Sequence, residues 1–165
     1  MKLALSNLAW NPADEDAAIA LMRKCGFTGV EIANSKPHPW TTLPIVAIQS
    51  LFYDRPDLQM FLADEESYTH LFGIACDAYE LGAKVMVLGA PKNRMGGNLT
   101  NATSLFLRCA QNGVPLCIEP NPPQYGCNFI TNTKEAQELV AAVNHPNFRL
   151  NLDSGIMTLN GETDI

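Results

Sequence analysis

Short apolar runs that stop at polar residues alternate along this chain with longer stretches of helical period. A buried parallel strand reads as an unbroken apolar run. An amphipathic helix reads as apolar residues three and four apart. Lys2 to Ser6 is a first strand on this reading. Asn11 and Pro12 then start a helix as cap and first helical residue; Ala17, Leu21 and Cys25 form its inner face and Gly26 ends it. Phe27 to Ile32 is a second strand, and Ile45 to Ile48 a third, ending at Gln49-Ser50. A helix starting at Asp64-Glu65-Glu66 has its acids where the helix dipole favours them, and presents Tyr68, Leu71, Phe72, Ala75, Cys76 and Tyr79 to a core. Gly82 closes it. Val85 to Leu88 is a fourth strand, followed by the loop Gly89 to Arg94, which Met95-Gly96-Gly97 extends. A helix from about Thr100 to Gln111 leads to a fifth strand, Leu116 to Ile118. Asn132 and Glu135 have the spacing of a capping box for a helix with Ala136, Leu139, Val140 and Val143 on one side. A sixth strand begins at Phe148 and carries Asp153.

The segment Asn34 to Pro44 breaks the alternation. It holds Pro37, Pro39 and Pro44, shows no helical period, and is short for a parallel crossover. Elsewhere strand and helix alternate, which predicts an α/β fold. Six strands in 165 residues are either an open sheet or part of a closed (β/α)8 barrel, since a complete barrel takes roughly 250 residues.

Composition narrows the functions. The chain is 47% hydrophobic and 17% charged, a globular balance, and its length suits one domain, residues 1–165. A net charge of −6 argues against nucleic acid and against an anionic membrane surface. No run approaches a membrane span or a signal sequence. The five cysteines include no CxxC pair and read as core thiols of a reducing, cytoplasmic compartment.

Chemistry concentrates where strands end. In parallel α/β proteins ligands bind at the carboxyl ends of the strands. The run VPLCIEPNPPQYG, Val114 to Gly126, stops at Glu119, and FRLNLDSG, Phe148 to Gly155, leads into Asp153. These two carboxylates are the leading candidates; the alternative for each is a hydrogen bond to a neighbouring loop. Glu31 also follows an apolar strand and could hold a substrate hydroxyl or pair with a cation. Gln49 offers donor and acceptor at a strand end. Asn7 and Trp10 follow strand one, where Trp10 walls a pocket or joins the core. Lys92 and Arg94 could bind a phosphate or be ordinary exposed loop cations. Asn121 could orient the Glu119 carboxylate, and Tyr125 lies in the same loop. His70 and His145 read as surface residues, whereas His38 is in the proline-rich loop on the strand-end side.

GVEIA at Gly29 to Ala33, the strand ending at Gln49-Ser50, LGAKVMVLGAPKNR at Leu81 to Arg94, LCIEPNP at Leu116 to Pro122 and LDSG at Leu152 to Gly155 together resemble the sugar-phosphate isomerase/epimerase group of xylose isomerase-like TIM barrels. The resemblance implies a barrel domain represented by about six strands, lacking the usual helix between strands two and three. It implies a divalent metal (manganese, magnesium, cobalt or zinc) held by Glu119 and Asp153, with two further ligands expected beyond Ile165. It implies isomerisation or epimerisation of a sugar or sugar phosphate by proton transfer next to a carbonyl. Glu119 would be the catalytic group, the metal would stabilise the enediolate, and Gln49, Glu31, Asn7, Trp10, Lys92, Arg94 and Asn121 would contact the carbohydrate. Ile156 stands where the group often has a substrate-binding histidine. Two alternatives stay open: a non-catalytic or degenerate sugar-binding fragment, and an apurinic-site endonuclease-like protein, which needs a basic groove the sequence does not show. An incomplete barrel leaves strand edges open, so a partner, possibly a second copy, is expected.

Overall fold

The computed structural model describes residues 3–33, 43–59, 61–62, 64–89 and 93–163. Six parallel strands form one sheet in chain order: β1 (Ala4–Ser6), β2 (Gly29–Ala33), β3 (Ile45–Gln49), β4 (Val85–Leu88), β5 (Leu116–Ile118) and β6 (Phe148–Leu150). Helices α1 (Glu15–Lys24), α2 (Glu65–Glu80), α3 (Leu99–Cys109), α4 (Thr133–Val143) and α5 (Ser154–Asn160) lie between or after them. The chain is thus α/β, with each strand pairing with the one before it across a single parallel sheet. The sequence places β4 and β5 correctly, starts β1 two residues early and runs β2 from Phe27, two residues before its start. Residues 34–42 of the proline-rich segment, with His38, lie outside the described residues.

Alternation along the strands separates two faces. Val30, Ile32, Ile48, Met86, Leu88, Leu116, Ile118 and Phe148 belong to one buried cluster with Ile19, Met22, Leu71, Ile74, Phe106, Leu139 and Val143 of the helices. Phe106 sits at its centre, stacked on Phe148 at 4.9 Å and edge-on to Phe61 at 5.8 Å. The other face carries small residues, Ala33, Ala47, Val87 and Cys117, and lines the concave inside of the sheet. Between β2 and β3 the register slips by one residue, so that Val30 opposes Ile45 while Glu31 opposes Ala47. Val46 is the extra residue of this bulge, and a side chain at Gly29 would collide with it.

Three helix expectations need correction. Asn11-Pro12 opens a 3-10 turn, Pro12–Asp14, and α1 starts only at Glu15. Its buried face is Ile19 and Met22; Ala17 and Cys25 are exposed and Leu21 is 60% exposed. Small residues on all sides of α1 leave its phase open, and the bulkier Ile19 and Met22 set it. In α2, Leu71 and Ala75 face inward as expected, but Ser67, Ile74 and Ala78 share that face, whereas Phe72, Cys76 and Tyr79 point outward. The predicted stripe was rotated toward the larger aromatic residues. Tyr68 and Phe72 stack on each other, and the Arg108 guanidinium covers Tyr68 at 3.5 Å, which shields part of this apolar surface. Of the cysteines, Cys109, Cys117 and Cys127 are buried, but Cys25 and Cys76 are exposed.

Side-chain caps begin the later helices: Asp64 for α2, Asn98 for α3, Asn132 for α4 and Asp153 for α5. At α4 the Glu135 carboxylate reaches past the cap to the Thr131 N–H at 2.7 Å. Helix α5 was not anticipated by the sequence reading, which let β6 run to Asp153.

Candidate functional site

The inner face turns polar at the carboxyl ends of the strands. Leu88 pairs with Ile118 and Ile118 with Leu150. One residue further on, Gly89, Glu119 and Asn151 therefore stand side by side and point inward. The ladder continues through them: the Glu119 N–H donates to Leu88 at 3.1 Å and the Asn151 N–H to Ile118 at 2.9 Å. This register brings Asn151 Nδ2 to 2.6 Å from Glu119 Oε2. Oε1 lies against Gly89, where any Cβ would collide with it. Among the described residues Oε1 accepts no hydrogen bond. Burial raises the Glu119 pKa, and the charge of Asp153 raises it further; the Asn151 bond and Arg94 act the other way, and Glu31 adds a small upward push.

Arg94 is not an exposed loop cation. It is 0% exposed, and its guanidinium donates to the carbonyl oxygens of Leu88, Glu119 and Ile130. A planar five-donor group suits three convergent carbonyls. Burial lowers its pKa to about 10, so it stays charged at neutral pH. The chain ends of β4 and β5 are knitted together from beneath. The described contacts give Arg94 a framework role in place of the exposed phosphate contact. Lys92 lies outside the described residues. Asn121 is also buried, and its amide reaches the Glu119 carbonyl at 3.3 Å, not the carboxylate; Asn151 takes that part. Tyr125 is exposed.

A second polar group lies at the ends of β1 to β3. Gln49 Nε2 donates to Ser6 Oγ at 2.7 Å and to Glu31 Oε2 at 3.0 Å. Both amide protons are engaged, so the oxygen of Gln49 faces away as an acceptor. Burial raises the Glu31 pKa. Glu31 thus pairs with an amide rather than with a cation. Asn7 is buried and its Oδ1 accepts the Ala33 N–H at 2.8 Å, which fixes the end of β2. Trp10 packs against the hydrophobic core, the second of its two alternatives.

Asp153 follows β6 by three residues and caps α5, with Oδ1 accepting from the N–H groups of Gly155 at 2.7 Å and Ile156 at 3.0 Å. Its Oδ2 makes no hydrogen bond among the described residues. Ile156 is buried. His70 is half-buried, not a surface residue, and bonds the Leu51 carbonyl at 2.7 Å; His145 accepts from the Asn147 N–H. The structure thus gathers Glu31, Gln49, Glu119 and Asp153 at one end of the barrel wall. Ser6 and Asn151 were missed. The signal for Asn151 was present: in Phe148 to Asp153, Arg149, Asn151 and Asp153 alternate with apolar residues, so they share the inner face.

The donor set was tested against a divalent cation. Among the described residues no group of three or more His, Cys, Asp and Glu side chains forms a cage. Glu119 Oε1 and Asp153 Oδ2 are hard oxygens that accept no hydrogen bond among the described residues, on carboxylates whose charges repel. Such a pair fits magnesium or manganese, which are bound through one or two carboxylates with waters or substrate oxygens completing the shell. No helix among the described residues is long and apolar enough to cross a membrane.

Comparison with solved structures places this fold. A xylose isomerase domain-containing protein of Salmonella typhimurium superposes with a TM-score of 0.72 at 19% identity, over 97% of this chain and 63% of that one. A D-psicose 3-epimerase of Clostridium cellulolyticum, solved with D-tagatose, gives 0.72 at 17% identity, over 99% and 67%. A D-allulose 3-epimerase of Methylomonas sp., in complex with D-allulose, gives 0.67 at 18%, over 96% and 64%. No model of a protein family and no curated protein sequence matches the chain. The fold is that of the xylose isomerase-like TIM barrels. This chain supplies six consecutive strands of it and spans about two thirds of the length of these structures.

Proposed function

We propose that this chain carries the β1 to β6 side of a sugar isomerase or epimerase site that moves a proton next to a carbonyl with the help of a divalent metal. The observation that carries this reading is the Glu119–Asp153 pair at the strand ends, each with one oxygen free of hydrogen bonds among the described residues. Glu119 Oε1 and Asp153 Oδ2 would hold the ion. When bound there, it supplies electrophilic stabilisation of negative charge developing on substrate oxygens. Glu119 would also take the proton, as the strand-end carboxylate between Asn151 and Gly89; burial raises its pKa in the metal-free chain, and a bound cation would lower it again. The outward oxygen of Gln49 accepts from a sugar hydroxyl, and Glu31 offers a second acceptor beside it. The substrate class, a small polyhydroxy carbonyl compound, is that of the epimerases that share the fold.

Proton NMR in D2O tests this reading, with a ketohexose such as D-allulose and added Mn2+ held at low, catalytic concentration. Deuterium uptake next to the carbonyl, dependent on metal and lost in Glu119→Ala, is the expected result. A second reading, a sugar-binding barrel without turnover, is favoured by the missing third ligand among the described residues. Sugar binding with no exchange at any metal concentration would select it.

A further inference from the structure

We infer that Asn151 is a positioning residue for Glu119: it ties one carboxylate oxygen to β6 and thereby commits the other to the metal and the substrate. The inference rests on the reading of Glu119 and Asp153 given above. Its basis is geometric. Asn151 extends β6 by one residue and is held there by its own N–H bond to Ile118. Its side chain is thereby set beside the neighbouring strand end, where it meets Glu119.

An amide nitrogen donates and never accepts, so the bond fixes which group gives the proton. The Nδ2–Oε2 separation of 2.6 Å is at the short end of bonds made to a charged acceptor. A glutamate side chain has several rotamers, and one tether alone would still let it swing. Gly89 supplies the second constraint. It leaves a shallow slot over β4 in which Oε1 rests. Tied on the β6 side and bounded on the β4 side, the carboxylate has Oε1 as its one oxygen without a hydrogen bond among the described residues. Partners of this kind, which orient a metal-binding carboxylate, are worth about 10- to 100-fold in metal affinity. Asn151 and Gly89 lie on strands on either side of Glu119, and neither belongs to the carboxylates expected to bind the ion.

The test uses the whole 165-residue chain and two probes. In the 15N-labelled protein, the Asn151 side-chain amide should show one proton shifted downfield of its twin, and this separation should collapse in Glu119→Ala. Mn2+ alone, followed by the EPR signal of the free ion, should bind Asn151→Leu about 10- to 100-fold more weakly than wild type. Asn151→Gln, which keeps an amide donor, should recover part of that loss. Urea midpoints of the two variants, measured alongside, separate a lost tether from a lost fold. Amide protons that ignore Glu119→Ala overturn the inference. So does wild-type Mn2+ affinity in Asn151→Leu. A wild-type chain that takes up no Mn2+ removes the metal reading instead, and the amide signals then decide the role of Asn151 alone.

Discussion

The guanidinium of Arg94 donates to the main-chain carbonyl of Glu119, and its charge also acts to lower the pKa of the Glu119 carboxyl group. The proposed catalytic residue and the residue that holds it are thus linked through the backbone. Arg94→Met would take one charged donor from each of the carbonyls of Leu88, Glu119 and Ile130, which keep the Glu119 N–H, the Asn121 side-chain amide and the Asn121 N–H as partners. Hydrogen bonds to a charged group are worth about 1.5–3 kcal/mol each, and removal of the buried charge offsets part of the loss, so the expected fall in stability is about 3 kcal/mol. Arg94→Lys should recover part of it with one donor in place of a fork. Urea denaturation gives the answer, and a midpoint for Arg94→Met within error of wild type would rule the clamp out.

Gly89→Ala tests the slot beside Glu119. The backbone at Gly89 is not among the left-handed conformations, so alanine fits the main chain. The added methyl meets only the tip of a side chain, which can move. Stability should fall by no more than about 1–3 kcal/mol, the usual range for overpacking. Mn2+ binding, read by calorimetry, should weaken at least about tenfold, the lower end for a lost orienting contact. Unchanged binding would mean that the carboxylate does not need this slot.

Asp153 has two roles that one pair of variants separates. Asn is as good a helix cap as Asp. Asp153→Asn should therefore keep α5 and the stability of the fold while losing Mn2+ binding. Asp153→Ala should lose both, with about 1 kcal/mol of stability going with the cap. If Asp153→Asn binds Mn2+ as wild type does, Asp153 is a cap and nothing more.

The buried carboxyl groups make a prediction about pH. Burial raises the pKa of Glu119 above its unfolded value of 4.5, so between that value and the raised one the folded chain holds more protons than the unfolded chain. Stability from this group is full below the unfolded pKa and falls as pH rises through the folded pKa. Glu119→Gln removes the titration and still accepts from Asn151. Metal-free Glu119→Gln should be the more stable of the two at pH 7, and its advantage should shrink toward pH 4.5. Asp57, Glu65 and Glu162, whose pKa values are lowered, impose the opposite slope at acid pH on both proteins and cancel in the difference. A difference that does not vary with pH in thermal melts would contradict the burial of Glu119.

Sequence alone made the strand ends legible because a parallel strand is a short apolar run with a sharp stop. Glu119 stands at such a stop and Asp153 three residues past one, whereas Glu31 lies within β2, two residues before its end; their charges act on one another at one edge of the sheet. The helix faces were harder. In EDAAIALMRK the central run AAIALM is small or apolar throughout, so no phase dominates there, and packing chooses Ile19 and Met22. Arg94 was misread because a cation in a glycine-rich loop ordinarily seeks water. The carbonyls of Leu88, Glu119 and Ile130 converge on it, the last two from segments 25 and 36 residues away, and help to make burial tolerable. Gly89 and Asn151 carry no chemistry of their own. Their importance comes from standing next to Glu119 across two strand pairs, which the register decides.

That every strand pairs with the one before it in the chain also bears on synthesis. Domains emerging from the ribosome begin folding from the N-terminus. In a doubly wound sheet a central strand can wait for partners made much later. Here each strand, once released, finds its neighbour already in place, and the sheet grows at one edge. Glu31 and Gln49 are set early, Glu119 arrives with the fifth strand, and Asn151 and Asp153 come last, just after the sixth. The carboxylates that repel one another are thus brought together only after most of the wall behind them has formed.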